Sequence, residues 1–281
     1  MKAKKLYKRL DSDFELDKCK DDWKEMEYNE YISENFKLRY MGLLLDNTQN
    51  IDSVYTAVFP SDKVLNKIIN IEKEDILLLT HHPMIWDIRD PSVFLNITKS
   101  LLPILKQRKI SIYSIHVPLD RNGPYSTGTN LAKAIDIEIE GDFYEYFGAM
   151  VGVYGKTELS TPEELAEKLS AVVGHKTKLW KYGSNEIVNQ KVAVVGGGGN
   201  NIEGIEEIVE LGINTYVTGV TAFNDFSKKT HEFEKEKEIN IIGGTHYSTE
   251  KFACIALCNY FKKLGFDCEF IEDDPVLEDI E

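Results

Sequence analysis

Three short strings hold four of the chain's six histidines, and each string offers side chains that bind metal: His81-His82, His116 with Asp120, and His246 with Glu250. Neutral imidazoles combined with carboxylates suit Zn, Fe, Mn, Co or Ni, whereas an all-oxygen set would suit Ca or Mg. A catalytic ion commonly takes about three protein ligands, so these candidates suffice for two ions. The expectation is a dinuclear centre of divalent ions, with Zn or Fe ahead of Mn, Co and Ni.

The elements around these strings explain how they could meet. Apolar runs at 75–80 and 110–115 lead directly into His81 and His116, and another at 239–243 ends just before His246. Further strands are expected near 39–46, 53–59, 149–155, 190–195, 213–218 and 268–272. Helices are expected near 62–70, 92–107, 124–136, 201–211, 221–236 and 249–264, with one more opening at Thr161-Pro162-Glu163-Glu164, where an N-cap, a first-turn proline and a capping-box glutamate coincide. Such alternation predicts an α/β fold. In open α/β sheets, ligands bind at the carboxyl ends of the strands, so the three strings are expected at one sheet rim. Adjacent residues leaving a strand point in opposite directions, which would place His81 and His82 on two neighbouring ions. His246 and Glu250 are four apart at a helix start and share a face. Glu250 or Asp120 could bridge two ions through its two oxygens. His175 and His231 lie in polar, charged stretches and are expected at the surface.

Composition narrows the function. The chain of 281 residues, 42% hydrophobic and 28% charged, has the profile of an ordinary globular protein. A net charge of −14 excludes a basic stripe for nucleic acid and argues against direct contact with it. Lys2, Lys4, Lys5, Lys8 and Arg9 are followed by Asp11, Asp13, Glu15 and Asp17, which reads as a solvated arm. No apolar stretch approaches the roughly 18 residues of a membrane span, and no signal-peptide pattern is present. The four cysteines lack metal or disulfide spacing, consistent with a reducing cytoplasm, and Cys254 and Cys258 share a helix face suited to core packing. Gly196–Gly199 follow an apolar strand and precede a helix, so Gly197, Gly198 and Gly199 could cradle a substrate phosphate or simply form a close-packed turn. The Lys-Ser/Thr of a P-loop is missing, and Asn201 stands where a dinucleotide fingerprint would have its last glycine. The linear division is a charged extension at 1–35, an α/β lobe at 36–140, a middle segment at 141–189 and a second α/β lobe at 190–281.

The strings LLLTHHPMIWD, SIHVPLD followed by GTNLAKA, KVAVVGGGG, YVTG and IIGGTHYSTEKFACIALCNYF resemble, in order and spacing, the YbgI-like family. Its eukaryotic members are called NGG-interacting-factor-three-like, and its bacterial and archaeal members GTP cyclohydrolase type 2 homologs. The resemblance covers roughly residues 40–275. It implies two similar lobes whose sheets are flanked by helices, and a dinuclear site between the lobes at strand carboxyl ends. The ligands would be His81, His82, Asp120, His246 and Glu250, with His116 as a further ligand or proton carrier. It also implies a homohexameric ring with the metal centres facing an internal cavity. The stretch between Asp120 and Gly196 is too short for the regulatory insert of longer relatives. Val220 replaces a glutamate frequent in the family, and Gly244-Thr245-His246-Tyr247 carries an extra residue before the histidine.

Two functions fit. One is a hydrolase in which water activated by two divalent ions attacks a nucleotide or another phosphorylated or heterocyclic metabolite, with His116 or Glu250 moving the proton. The other is a non-catalytic metal-binding, metal-delivery or regulatory ring protein using the same ligands.

Overall fold

Unbroken apolar runs build the first sheet. Helices α1 (Ala3–Asp13) and α2 (Glu34–Lys37) precede strands β1 (Gly42–Leu45) and β2 (Ser53–Ala57), and α3 (Asp62–Ile69) leads to β3 (Ile76–Thr80). A short hairpin of β4 (Ile85–Trp86) and β5 (Phe94–Leu95) is followed by α4 (Leu101–Gln107) and β6 (Ile110–Ser114). The computed structural model describes residues 1–19, 21, 23 and 30–281. Every residue of β2, β3 and β6 is buried, as parallel strands covered on both faces require. β2 pairs with β3 and β3 with β6 in parallel, while β1 runs antiparallel to β6 at the edge. Leu44, Leu65, Ile68, Leu78, Leu105 and Ile112 fill the core of this unit.

The amino-terminal residues are not a solvated arm. Ala3, Leu6, Tyr7 and Leu10 are buried at helical spacing on α1, and the lysines occupy its exposed side.

One helical turn, α5 (Val117–Asp120), leads into the second unit. There α6 (Thr127–Ala134), β7 (Glu138–Tyr146), β8 (Ala149–Lys156), α7 (Pro162–Val173), β9 (Lys178–Trp180) and β10 (Lys191–Val194) are followed by α8 (Ile202–Glu210), β11 (Thr215–Thr218), α9 (Lys228–Glu236), β12 (Asn240–Gly243) and α10 (His246–Lys263). The sheet order is β7-β8-β10-β11-β12-β9, with a parallel centre of β10, β11 and β12 and antiparallel flanks. Leu131, Leu165, Leu169, Val194, Val217 and Ile242 form its core. β7 was not expected from the sequence, because its charged, largely exposed residues carry no apolar period. Its hairpin with β8 turns at Phe147 and Gly148, both with positive φ (47° and 80°), the backbone of a tight hairpin turn.

The chain then returns to the first sheet. β13 (Asp267–Phe270) pairs in parallel with β2 and completes the order β1-β6-β3-β2-β13. The linear lobes at 36–140 and 190–281 therefore give way to interleaved units. Residues 1–87, 92–119 and 254–273 form one, and residues 88–91, 120–253 and 274–281 the other. Strand pairing is the reason: β13 draws 254–273 into the first unit, and the β7–β8 hairpin draws the middle segment into the second. Helix α4 begins at Leu101 rather than near 92, and α10 begins at His246 rather than near 249. Cys254 and Cys258 are core residues, with Cys254 Sγ donating to the Ala57 carbonyl at 3.3 Å. No described helix is long and apolar enough to cross a membrane.

The capping box at Thr161 forms as the sequence predicts. Thr161 Oγ1 accepts from the Glu164 N–H at 3.2 Å, and Glu164 Oε2 accepts from the N–H groups of Thr161 and Ser160 at 3.0 and 2.9 Å. Those N–H groups hold the Glu164 carboxyl below its ordinary pKa, so its contribution is present at neutral pH and is lost as pH falls through that lowered value. Thr161→Ala is expected to lower the unfolding free energy by about 1 kcal/mol and Thr161→Ser by a few tenths, read from urea midpoints at constant slope.

Candidate metal-binding site

In the first unit, β3 and β6 are neighbours and run the same way, so their carboxyl ends lie side by side. His81 and His82 follow β3 and extend its ladder, His81 N donating to the Ala57 carbonyl at 3.1 Å and His82 N to the Val58 carbonyl at 2.9 Å. His116 follows β6 after one intervening residue, Ile115. The three imidazoles converge: each offers a ring nitrogen, and these lie within 4.8 Å of one another. Ring centroids are 4.2 Å apart for His81 and His82, 4.8 Å for His82 and His116, and 5.3 Å for His81 and His116. His81 and His82 are buried, and His116 is partly exposed, with 13% of its side chain accessible. The fixed nitrogens decide what each ring can present. His81 Nδ1 lies 3.1 Å from the Ile115 carbonyl, an acceptor, so that nitrogen carries the proton and Nε2 is the nitrogen left able to bind a metal. His82 stacks on Phe59, with centroids 4.6 Å apart and planes 14° from parallel. Three imidazoles this close are a donor set that fits a transition-metal ion.

In the second unit, His246 opens α10 and Glu250 lies one turn on, with His246 Nε2 3.2 Å from Glu250 Oε1. Thr245 caps the helix, its Oγ1 accepting from Ser248 N at 3.3 Å, and has φ +65°, an uncommon backbone for a β-branched residue. The buried Asp279 carboxylate accepts the His246 N–H at 2.9 Å, adding negative charge where the helix dipole favours it. Asp120 is buried in the same unit and accepts from Thr127 Oγ1 at 2.9 Å. The glycine turn between β10 and α8 lies against this set. A Cβ on Gly196 would come 3.0 Å from Thr127 Cβ and 3.5 Å from Glu250 Cγ. On Gly197 (φ +68°) it would come 2.0 Å from Glu250 Oε1 and 3.1 Å from His246 Cδ2. The carboxylate is therefore cradled against bare backbone. His246 and Glu250 thus bring an imidazole and a carboxylate together, donor types that suit a divalent ion.

The three strings do not share one sheet rim. His81, His82 and His116 sit at the end of the first sheet, whereas His246 follows β12 of the second. Gly197 N–H donates to Thr249 Oγ1 at 3.0 Å, and only Gly198 and Gly212, among the glycines between β10 and β11, have open space at the Cβ position. Asn201 caps α8, accepting from Gly204 N at 2.8 Å.

Both histidines expected at the surface are engaged. His231 is buried on α9, with Nε2 3.1 Å from the Thr221 carbonyl and Nδ1 3.0 Å from the Tyr182 hydroxyl and 3.1 Å from Glu234 Oε2. Burial raises the pKa of Tyr182 above its ordinary value. Half-buried His175 places Nε2 2.8 Å from Ser248 Oγ. Sequence reasoning also missed two residues at the histidine cluster. Asp21 Oδ2 lies 2.9 Å from His116 Nδ1, and the Trp23 ring packs edge-on to His116 and His82 at 5.0 and 5.7 Å. Their one signal is an acidic pair beside one of only three tryptophans.

A model of the family described as Duf34/NIF3 (NGG1p interacting factor 3) matches residues 30–275. The GTP cyclohydrolase 1 type 2 homolog of Archaeoglobus fulgidus is 26% identical over 256 residues, covering 90% of this chain and 94% of that protein. The protein of the same name from Pyrococcus horikoshii is 28% identical over 241 residues, covering 83% and 88%. Among solved structures, a protein titled ybgI, of unknown function, shares the fold with a TM-score of 0.77, 21% identity and coverage of 98% of this chain and 100% of that one.

Gly197→Ala should destabilise the protein by roughly 1–3 kcal/mol, because its methyl meets Glu250 and its φ is left-handed. Gly198→Ala should stay within about 0.5 kcal/mol. Paired urea titrations check the contrast, and equal effects would refute the cradle.

Proposed function

The chain belongs to the Duf34/NIF3 family, and from that premise we propose that it holds two divalent metal ions and uses them in hydrolysis. The proposed ligands are His81, His82, Asp120, His246 and Glu250. The observation that carries the reading is the cluster of three imidazoles, two of them buried, with ligand atoms within 4.8 Å. Zn or Fe is expected first, with Mn, Co and Ni also suited to this donor set.

A bound divalent pair supplies electrophilic polarisation and brings the pKa of water toward neutrality. The chain's own residues do the rest. His116, at the edge of the cluster and less buried than His81 or His82, is placed to carry a proton. Glu250, held against Gly197, is the second candidate for that role. A substrate phosphate would fall to the N–H groups of Gly198 and Gly199, since that of Gly197 is given to Thr249. The names of the relatives point to a nucleotide such as GTP, and the wider class is a phosphorylated or heterocyclic metabolite. A non-catalytic role in metal storage or delivery is the second reading. The near-complete burial of His81 and His82 favours it, since a closed coordination shell serves storage better than turnover.

Elemental analysis of chelator-free protein is expected to give about two ions per chain. His82→Ala and Glu250→Ala are each expected to lower the metal content, and the double variant to lose it. Full occupancy in the double variant would refute the ligand set. Screening nucleotides and phosphoesters for metal-dependent hydrolysis then separates the enzyme from the storage protein. The family resemblance further predicts a hexamer, and a light-scattering mass equal to one chain would overturn it.

A further inference from the structure

Asp21 lies upstream of the region matched by the family model, yet it reaches the histidine cluster. Its carboxylate is buried, with 1% of the side chain exposed, and Oδ2 lies 2.9 Å from His116 Nδ1. Burying a carboxylate is costly unless a donor meets it, so a contact of this kind needs a return. The Trp23 indole N–H lies 3.2 Å from the same nitrogen. Indole can only donate, so the two contacts demand opposite tautomers of His116. If Nδ1 bears the proton, it donates to Asp21; if it is bare, it accepts from Trp23. The charge-assisted bond is the shorter and the stronger of the two. The carboxylate would also lose more by giving up its donor than the indole would.

We propose that Asp21 is a positioning residue that holds His116 in the Nδ1–H form, so that its Nε2 faces the cluster as the lone-pair nitrogen. The arrangement parallels His81, whose Nδ1 is held by the Ile115 carbonyl. It differs in strength, because a carboxylate makes the imidazole it binds more basic than a carbonyl does. Among the described residues, Asp21 is absent from every group of three or more side chains whose ligand atoms cluster for a metal. It therefore acts through His116. Trp23 closes the same face, packing against His116, His82 and Phe94 and keeping water from the Asp21–His116 bond. The role given to Nε2 rests on the metal reading above, whereas the tautomer does not.

The test has two arms. In metal-free protein labelled with ¹⁵N, long-range proton–nitrogen spectra of the imidazoles, with His116 assigned through His116→Gln, should show His116 as the Nδ1–H tautomer. Asp21→Ala should shift it to a mixture or to Nε2–H, and Asp21→Glu should restore it. A wild-type Nε2–H form, or a spectrum unchanged in Asp21→Ala, would overturn the proposal. In the second arm, cobalt(II) is titrated against a competing chelator. Asp21→Ala should weaken binding about 10–100-fold and alter the visible absorption of the bound ion, with Asp21→Glu close to wild type. Equal affinity and spectrum in Asp21→Ala would sink the positioning role even if the tautomer is as expected. Wild-type protein that takes up no cobalt would refute the metal reading instead, leaving the first arm to decide what Asp21 does to His116.

Discussion

An imidazole has two nitrogens, and the partner of one decides what the other can do. That constraint shapes the first unit. His81 can present Nε2 only because the Ile115 carbonyl lies at its Nδ1, and Ile115 is there because β6 runs beside β3 in parallel register. The register continues past the strands, since Ile115 N donates to the Thr80 carbonyl and Ser114 Oγ to the His81 carbonyl. A slip of one residue would turn every side chain of β3 to the opposite face and take the acceptor from His81. The apolar runs that bury β2, β3 and β6 thus do more than stabilise a sheet. They fix a tautomer at its edge.

The second unit solves a different problem, which is to hold carboxylates without filling the space around them. Its means are small residues and unusual backbone. Gly197 gives way to Glu250, and Thr245 takes a left-handed φ so that α10 can begin at His246. Such strain persists only where neighbours over-determine it. Here Thr249 Oγ1 binds the Thr245 carbonyl at 2.9 Å, and Asp279, from the end of the chain, takes the His246 N–H. With this turn, the His246 imidazole stands one helical turn from Glu250.

What could be read in the sequence follows the range of the forces involved. Strands β2, β3, β6, β10 and β12 were legible because apolar runs are local, and the His-His, His-Asp and His-Glu pairs because each lies within a few residues. The Thr161 helix start was legible because its cap is written in four consecutive residues. Strand β7 was not, since an exposed edge strand needs no apolar period, and the return of β13 to β2 depends on pairing across more than half the chain. His231 was misread because its buried neighbours on α9, Thr230 and Glu234, are themselves polar, so the buried face leaves no hydropathic trace. Asp21 was invisible for a related reason. An acidic residue in an acidic stretch reads as solvated, and only the fold reveals that it meets His116.

Charge then limits what the proposed centre can accept. Neutral imidazoles contribute none, so two divalent ions held by Asp120 and Glu250 would leave a local charge of about +2. Asp21, joined to His116, and Asp279, at the His246 N–H, would lower that further. The chain as a whole, at −14, repels anions at long range, but its field fades over about 8 Å at physiological salt. The balance favours a neutral or singly charged reacting group at the centre, such as a ring C=N or an amide. Any phosphate would then lie further out, where backbone N–H groups such as that of Gly198 bind it without adding to the site's charge.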